Sequence, residues 1–191
     1  MPETARLRER LPYKTHRKNS TKVLQEGGYA SVTCDGENLI LSAILQDSDI
    51  HSDATADFQP NWMLGDVLEF FVWVPPRRDY FEFQVSCNGK ALQIHLHEFY
   101  ICYNLEFEEL IEECGMTSVT RTFPEKNCWY GKIKVPLKSL GITEDQLDGI
   151  RFMSGRYNYN RNWSDPEISA TLQIKYSSFH NPPEWTILRT K

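Results

Sequence analysis

The chain has 191 residues, of which 40% are hydrophobic and 13% aromatic, with a formal net charge of −5. That composition fits one folded domain, and no apolar run approaches the ~20 residues of a membrane-spanning helix. The charge is unevenly spread. Residues 1–22 carry seven Lys or Arg against two Glu, and the acidic remainder argues against a nucleic-acid-binding surface.

Residues 1–20 read as a basic, flexible arm in which Pro2 and Pro12 oppose helix, and residues 21–191 read as one domain. The arm lacks the apolar segment of a secretory signal, so a cytoplasmic setting is expected, or a secreted one if a leader precedes it. Cys34, Cys87, Cys102, Cys114 and Cys128 are odd in number and show no CxxC spacing, so reduced thiols are expected. Gly27-Gly28 predicts a turn between two short strands in 22–33. Residues 39–45, nearly all apolar, predict a central strand covered on both faces.

Residues 46–60 form an oxygen-rich loop containing Asp47, Asp49, Asp53 and Asp57. Such a loop could take calcium, although its spacing is not that of an EF-hand. It delivers the chain to Trp62. Residues 67–74 then alternate, with Leu68, Phe70, Val72 and Val74 on one face and Glu69, Phe71 and Trp73 on the other. Residues 79–87 alternate again after Pro75–Arg78. Matching the apolar faces across that turn pairs Phe70 with Phe83 and Glu69 with Gln84. The hairpin therefore has a dry side and a wet side. The wet side carries a carboxylate, an amide and aromatic rings, chemistry suited to a polyol.

Asn88-Gly89 predicts a tight turn into a strand over 91–98, with Leu92, Ile94 and Leu96 on one face and Gln93, His95 and His97 on the other. Two imidazoles at i and i+2 could share zinc, but the sequence shows no third ligand, so no metal site is assigned. Residues 106–114 predict a helix stopped by Gly115. Short strands are predicted at 119–123, 129–135, 150–157, 172–176 and 185–189, and Thr143 is placed to cap a helical turn. Many short strands with one small helix predict an all-β, antiparallel β-sandwich.

Three stretches in order carry a resemblance. Trp62-Met-Leu-Gly-Asp66 with Val67-Leu-Glu-Phe-Phe71, then Trp129 through Gly141, then Ser178 through Trp185, are similar to segments of family 9 carbohydrate-binding modules. The resemblance runs from about residue 35 to the C-terminus. It implies a jelly-roll-like sandwich, of the DOMON-like superfamily, that binds a terminal sugar or a short β-linked oligosaccharide between two aromatic rings. By position it places Trp62 and Phe179 as the walls and Glu69 as the acid. Gln84 falls where that family has an Arg, and Ser86 where it has an Asn. Arg156 is a further candidate from the strand over 150–157. Calcium occurs in that family, but its ligands do not map onto this chain residue by residue.

Mono- or oligosaccharide is thus the expected partner, with neither nucleic acid nor membrane, and no catalytic residues are assigned. Two other readings stand beside it. One is a haem or redox protein with Met63, Met153, His95 or His97 as ligands. The other is a glycoside-processing protein, such as one associated with a xylanase, using Glu69 with Asp66 or Glu82.

Overall fold

A computed structural model describes residues 4–17, 20, 22–101, 104–175 and 178–190. The strands are β1 (Thr4–Arg6), β2 (Arg10–Pro12), β3 (Lys14–Thr15), β4 (Gly28–Cys34), β5 (Asn38–Gln46), β6 (Val67–Trp73), β7 (Tyr80–Ser86), β8 (Ala91–Leu96), β9 (Thr117–Phe123), β10 (Cys128–Pro136), β11 (Arg151–Asn158), β12 (Glu167–Ala170) and β13 (Thr186–Arg189). They form two sheets. The larger runs β1-β13-β11-β6-β7-β8, with β12 and β3 added beside β11, and the smaller runs β2-β4-β5-β10-β9. Pairing is antiparallel apart from β1 with β13. This is the expected all-β sandwich.

The core between the sheets follows from strand alternation. Leu68, Phe70 and Val72 of β6 and Phe81, Phe83 and Val85 of β7 meet Leu39, Leu41 and Leu45 of β5 and Trp129, Ile133 and Val135 of β10. The β6–β7 register pairs Phe70 with Phe83 and Glu69 with Gln84, as the matched apolar faces require. β5 departs from expectation. Its outward residues Ile40 and Ser42 are half-buried, and Ile44 is 57% exposed. An apolar run cannot distinguish a strand buried on both faces from one that leaves isoleucines in water.

The N-terminal segment also departs from expectation. It adds β1 and β3 to the larger sheet and β2 to the smaller one. Tyr13 is buried between them, its hydroxyl bonded to Ser154 Oγ at 2.5 Å. Its basic side chains concealed an apolar anchor and sheet edges that needed partners.

The outer face of the larger sheet holds a second apolar cluster. Phe71 and Trp73 of β6, Tyr80 of β7, Leu92, Ile94 and Leu96 of β8, and Met153 of β11 lie there under Leu110, Phe179 and Trp185. Two covering segments, one on each side, frame a cleft on this face. The helix expected over 106–114 shrinks to α1 (Phe107–Leu110), which begins with a capping box at Glu106. Ile111 turns extended and bridges Ile94, and Glu112 N–H donates to the Gln93 carbonyl. Edge pairing with β8 thus overrides helical propensity. The strand expected over 172–176 is replaced by β12 and a bend that bridges Arg17 to Ile174, with Tyr176 outside the described residues. Cys34, Cys87, Cys114 and Cys128 are free thiols, and Cys102 lies outside the described residues.

Candidate functional site

A cleft of about 530 Å³ opens on the outer face of the larger sheet, between the two covering segments. Ligand pockets typically occupy roughly 300–1,000 Å³. Glu69 and Glu82 lie at its floor. Trp62, Phe107, Tyr157 and Phe179 supply aromatic wall, with Ser178 and His180 beside Phe179.

Trp62 is presented by a turn of 3-10 helix, Asn61–Met63. Asn61 is fully buried and its side-chain amide donates to the Lys90 carbonyl at 3.1 Å. The Tyr159 hydroxyl donates to the Trp62 carbonyl at 2.6 Å. With its backbone fixed at both sides, the half-buried indole leans edgewise on Phe107, ring centroids 5.5 Å apart.

Phe179 reaches the cleft from the opposite segment. The Trp185 indole N–H donates to the Phe179 carbonyl at 2.9 Å, and Trp185 is itself fully buried. The ring packs edge-on to Phe71 at 5.8 Å and Tyr157 at 6.0 Å. It is only 6% exposed, so it offers the cleft little surface, and the half-exposed wall consists of Trp62, Phe107 and Tyr157. Gly155 makes this approach feasible. A Cβ there would lie 2.8 Å from both Phe179 Cε2 and Glu69 Oε2.

The floor is a buried polar triad. Gln84 Nε2 donates to Glu69 Oε1 at 2.9 Å and to Glu82 Oε1. Glu69 Oε2 and Gln84 Oε1 are buried without a hydrogen-bond partner. Burial raises Glu69 well above the usual carboxylate range, and the neighbouring Glu82 adds to the rise. Burial likewise raises Glu82, to about 7, although the Gln84 amide opposes it. Burial lowers His180 to about 4; its Nδ1 lies 2.9 Å from the Tyr80 hydroxyl and its Nε2 3.8 Å from Glu82 Oε2. Burial thus favours the neutral forms of Glu69, Glu82 and His180, in a site able both to donate and to accept hydrogen bonds.

Acids that keep their protons in the folded chain have released them in the unfolded chain once pH passes about 4.5. Folding stability must then fall as pH rises from that value through the folded pKa. For Glu82 the shift from 4.5 to about 7 corresponds to about 3 kcal/mol. The urea midpoint is expected to drop between about pH 5 and about pH 8, and Glu82→Gln to flatten the drop. A midpoint that rises over this interval contradicts a protonated floor.

Of the residues singled out in the sequence, Trp62, Glu69 and Phe179 line one cleft, and Gln84 sits directly behind Glu69. Arg156 does not join them. It points from β11 to the inner face and is fully buried. Its Nη1 donates to the Glu26 and Gly27 carbonyls, and its Nη2 to the Gln46 carbonyl and to Asn158. Alternation along β11 dictates this, because Gly155 and Tyr157 take the cleft side. Ser86 is buried and donates to Asn88, away from the cleft. Tyr157 and Phe107 were not assigned from sequence, and Glu82 entered only as a partner of Glu69 in the glycoside-processing reading. Glu82 shares a face with Gln84 by period-two alternation, a signal that was legible.

The oxygen-rich loop uses its acids as anchors. Asp47 pairs with Arg156, Asp49 with Arg161, and Asp57 accepts the Ala91 N–H. Among the described residues the loop brings no three carboxylates within 4.8 Å of one another. The candidate haem ligands are dispersed. Met63 is 66% exposed on the Trp62 turn, Met153 is fully buried under the outer cluster, and His95 and His97 stand at the β8 edge.

No family model matches the chain, and a search of curated proteins returns no match. Solved structures do match. A protein from Bacteroides uniformis ATCC 8492, provisionally described as carbohydrate-binding, superposes with a TM-score of 0.71 at 16% identity, over 96% of this chain and 87% of that one. A family 9 carbohydrate-binding module from Caldicellulosiruptor kristjanssonii, in complex with cellotriose, gives 0.65 at 11% identity over 96% and 84%. A module of the same family and organism, in complex with glucose, gives 0.62 at 11% identity over 95% and 85%. The chain thus has a fold like that of family 9 carbohydrate-binding modules.

Proposed function

We propose that the cleft binds a terminal sugar or a short β-linked oligosaccharide without catalysing its cleavage. The observation that carries this reading is Glu69 Oε2, buried and unpaired in the floor of a cleft walled by aromatic rings. A buried unpaired polar atom costs about 1–3 kcal/mol, which a sugar hydroxyl in the cleft would recover. The apolar C–H face of a pyranose suits the Trp62, Phe107 and Tyr157 rings, and Gln84 orients Glu69 from behind. The cellotriose and glucose bound by structurally similar modules support the same ligand class.

Hydrolysis is the weaker reading. Glu69 and Glu82 both bond the same Gln84 nitrogen and lie side by side on the floor. A sugar above them meets both carboxyls on one side, whereas glycosidases flank the scissile bond with their two carboxyls.

The test is a titration with glucose, cellobiose, xylobiose and galactose, followed by tryptophan fluorescence. Trp62→Ala is expected to weaken binding at least tenfold while changing stability by no more than about 1 kcal/mol, as for a half-exposed residue outside the core. Unchanged binding, or a stability loss of several kcal/mol, makes Trp62 a staple of the loop and contradicts the reading.

A further inference from the structure

A second constellation lies at the β8 edge, outside the cleft. His95 ends the inward-facing row of β8, and its ring stacks on Phe81 with centroids 4.2 Å apart. His97 follows just past the strand, its ring 4.2 Å from that of His95. The chain then makes its excursion through α1 and returns along the same edge, where the Ile94–Ile111 bridge and the Glu112-to-Gln93 backbone bond set Glu112 against both imidazoles. Glu112 Oε2 lies 3.1 Å from His95 Nδ1 and 3.3 Å from His97 Nε2. All three potential ligand atoms fall within 4.8 Å of one another.

We infer that His95, His97 and Glu112 form a binding site for a divalent transition metal, with zinc the best fit. Two imidazoles and a carboxylate are a ligand set of the kind zinc takes, leaving one position of a tetrahedron open to water or another ligand. With zinc–ligand bonds of about 2.1 Å, neighbouring donors in a tetrahedron sit about 3.4 Å apart, close to the two spacings observed.

The surroundings support the assignment independently. His95 Nε2 lies 2.8 Å from Asp79 Oδ2. Asp79 is in turn gripped by Arg77, whose Nε donates to Asp79 Oδ1 at 2.8 Å and whose Nη1 donates to the Leu140 carbonyl at 2.6 Å. A carboxylate on the far nitrogen is the usual support of a metal-bound histidine, fixing its tautomer and ring angle.

Metal-free, untagged protein titrated with zinc against a chromophoric chelator tests this. One equivalent is expected to bind saturably, and the thermal midpoint to rise with zinc. His97→Ala and Glu112→Gln change exposed side chains and are each expected to weaken zinc binding at least tenfold. Asp79→Asn is expected to weaken it about 10-fold to 100-fold. Absence of saturable uptake overturns the site. One equivalent still bound by the His97→Ala, Glu112→Gln double variant overturns it as well.

Discussion

Gly155→Val is expected to abolish sugar binding by the folded protein. A Cβ at this position already falls 2.8 Å from Glu69 Oε2 and from Phe179 Cε2, and valine adds two methyl groups beyond it. Glu69 is held by Gln84, and Phe179 by Phe71, Tyr157 and the Trp185 bond to its carbonyl. Neither can yield without opening the floor or wall of the cleft. Overpacking of this kind typically costs 1–3 kcal/mol, which a chain with about 5–15 kcal/mol of stability survives. Calorimetric titration alongside urea unfolding separates the two effects. Binding lost with a cooperative unfolding transition retained is the expected outcome, and wild-type binding would mean that neither Glu69 nor Phe179 touches the ligand.

Arg156→Met is expected to show the reverse, a large stability loss with the cleft's chemistry left in place. The fully buried Arg156 satisfies the Glu26, Gly27 and Gln46 carbonyls, bonds Asn158 and pairs with the equally buried Asp47 at 3.3 Å. Removing the cation strands the carbonyls and leaves Asp47, which burial raises and Arg156 holds down, without its counter-charge. Breaking a buried pair from one side costs about 3–5 kcal/mol. A fall of that size in the free energy of urea unfolding is expected, with sugar affinity within a few-fold under conditions where the variant is folded. A stability near wild type combined with lost binding would place Arg156 at the ligand.

The contrast between these two neighbouring residues shows what the sequence could and could not reveal. Alternation and a short turn were enough to place Glu69 opposite Gln84, because a one-residue slip would have carried one of the two polar side chains into the core between the sheets. The same alternation sets Gly155 and Arg156 on opposite faces, but nothing within residues 150–157 says which face is covered by the other sheet. The Leu92, Ile94 and Leu96 row raised the same ambiguity, and it packs on the outer cluster instead of the inter-sheet core. An outer face roofed by loops looks, residue by residue, like a core face.

Trp62 and Phe179 were placed by resemblance, and the structure sets both at one cleft, though Phe179 is almost wholly buried. Glu112 was out of reach. Its meeting with His95 and His97 depends on α1 ending after four residues and the chain pairing with β8, a tertiary choice that the helical stripe in 106–114 conceals. The N-terminal strands were hidden for a related reason: short edge strands draw their stability from the sheets they join, and their own residues are basic and weakly patterned.

The central claim is that sugar enters the cleft between Trp62 and Phe179 and bonds Glu69. Site-resolved NMR of the five indole N–H groups during a cellobiose titration tests it most directly. The Trp62 signal is expected to shift saturably, with buried Trp129 unmoved and Trp163, which lines a separate cavity beside His16 and Arg17, also unmoved. Saturable shifts at Trp163 with Trp62 silent, or no saturable shift with any of the four sugars, would contradict it.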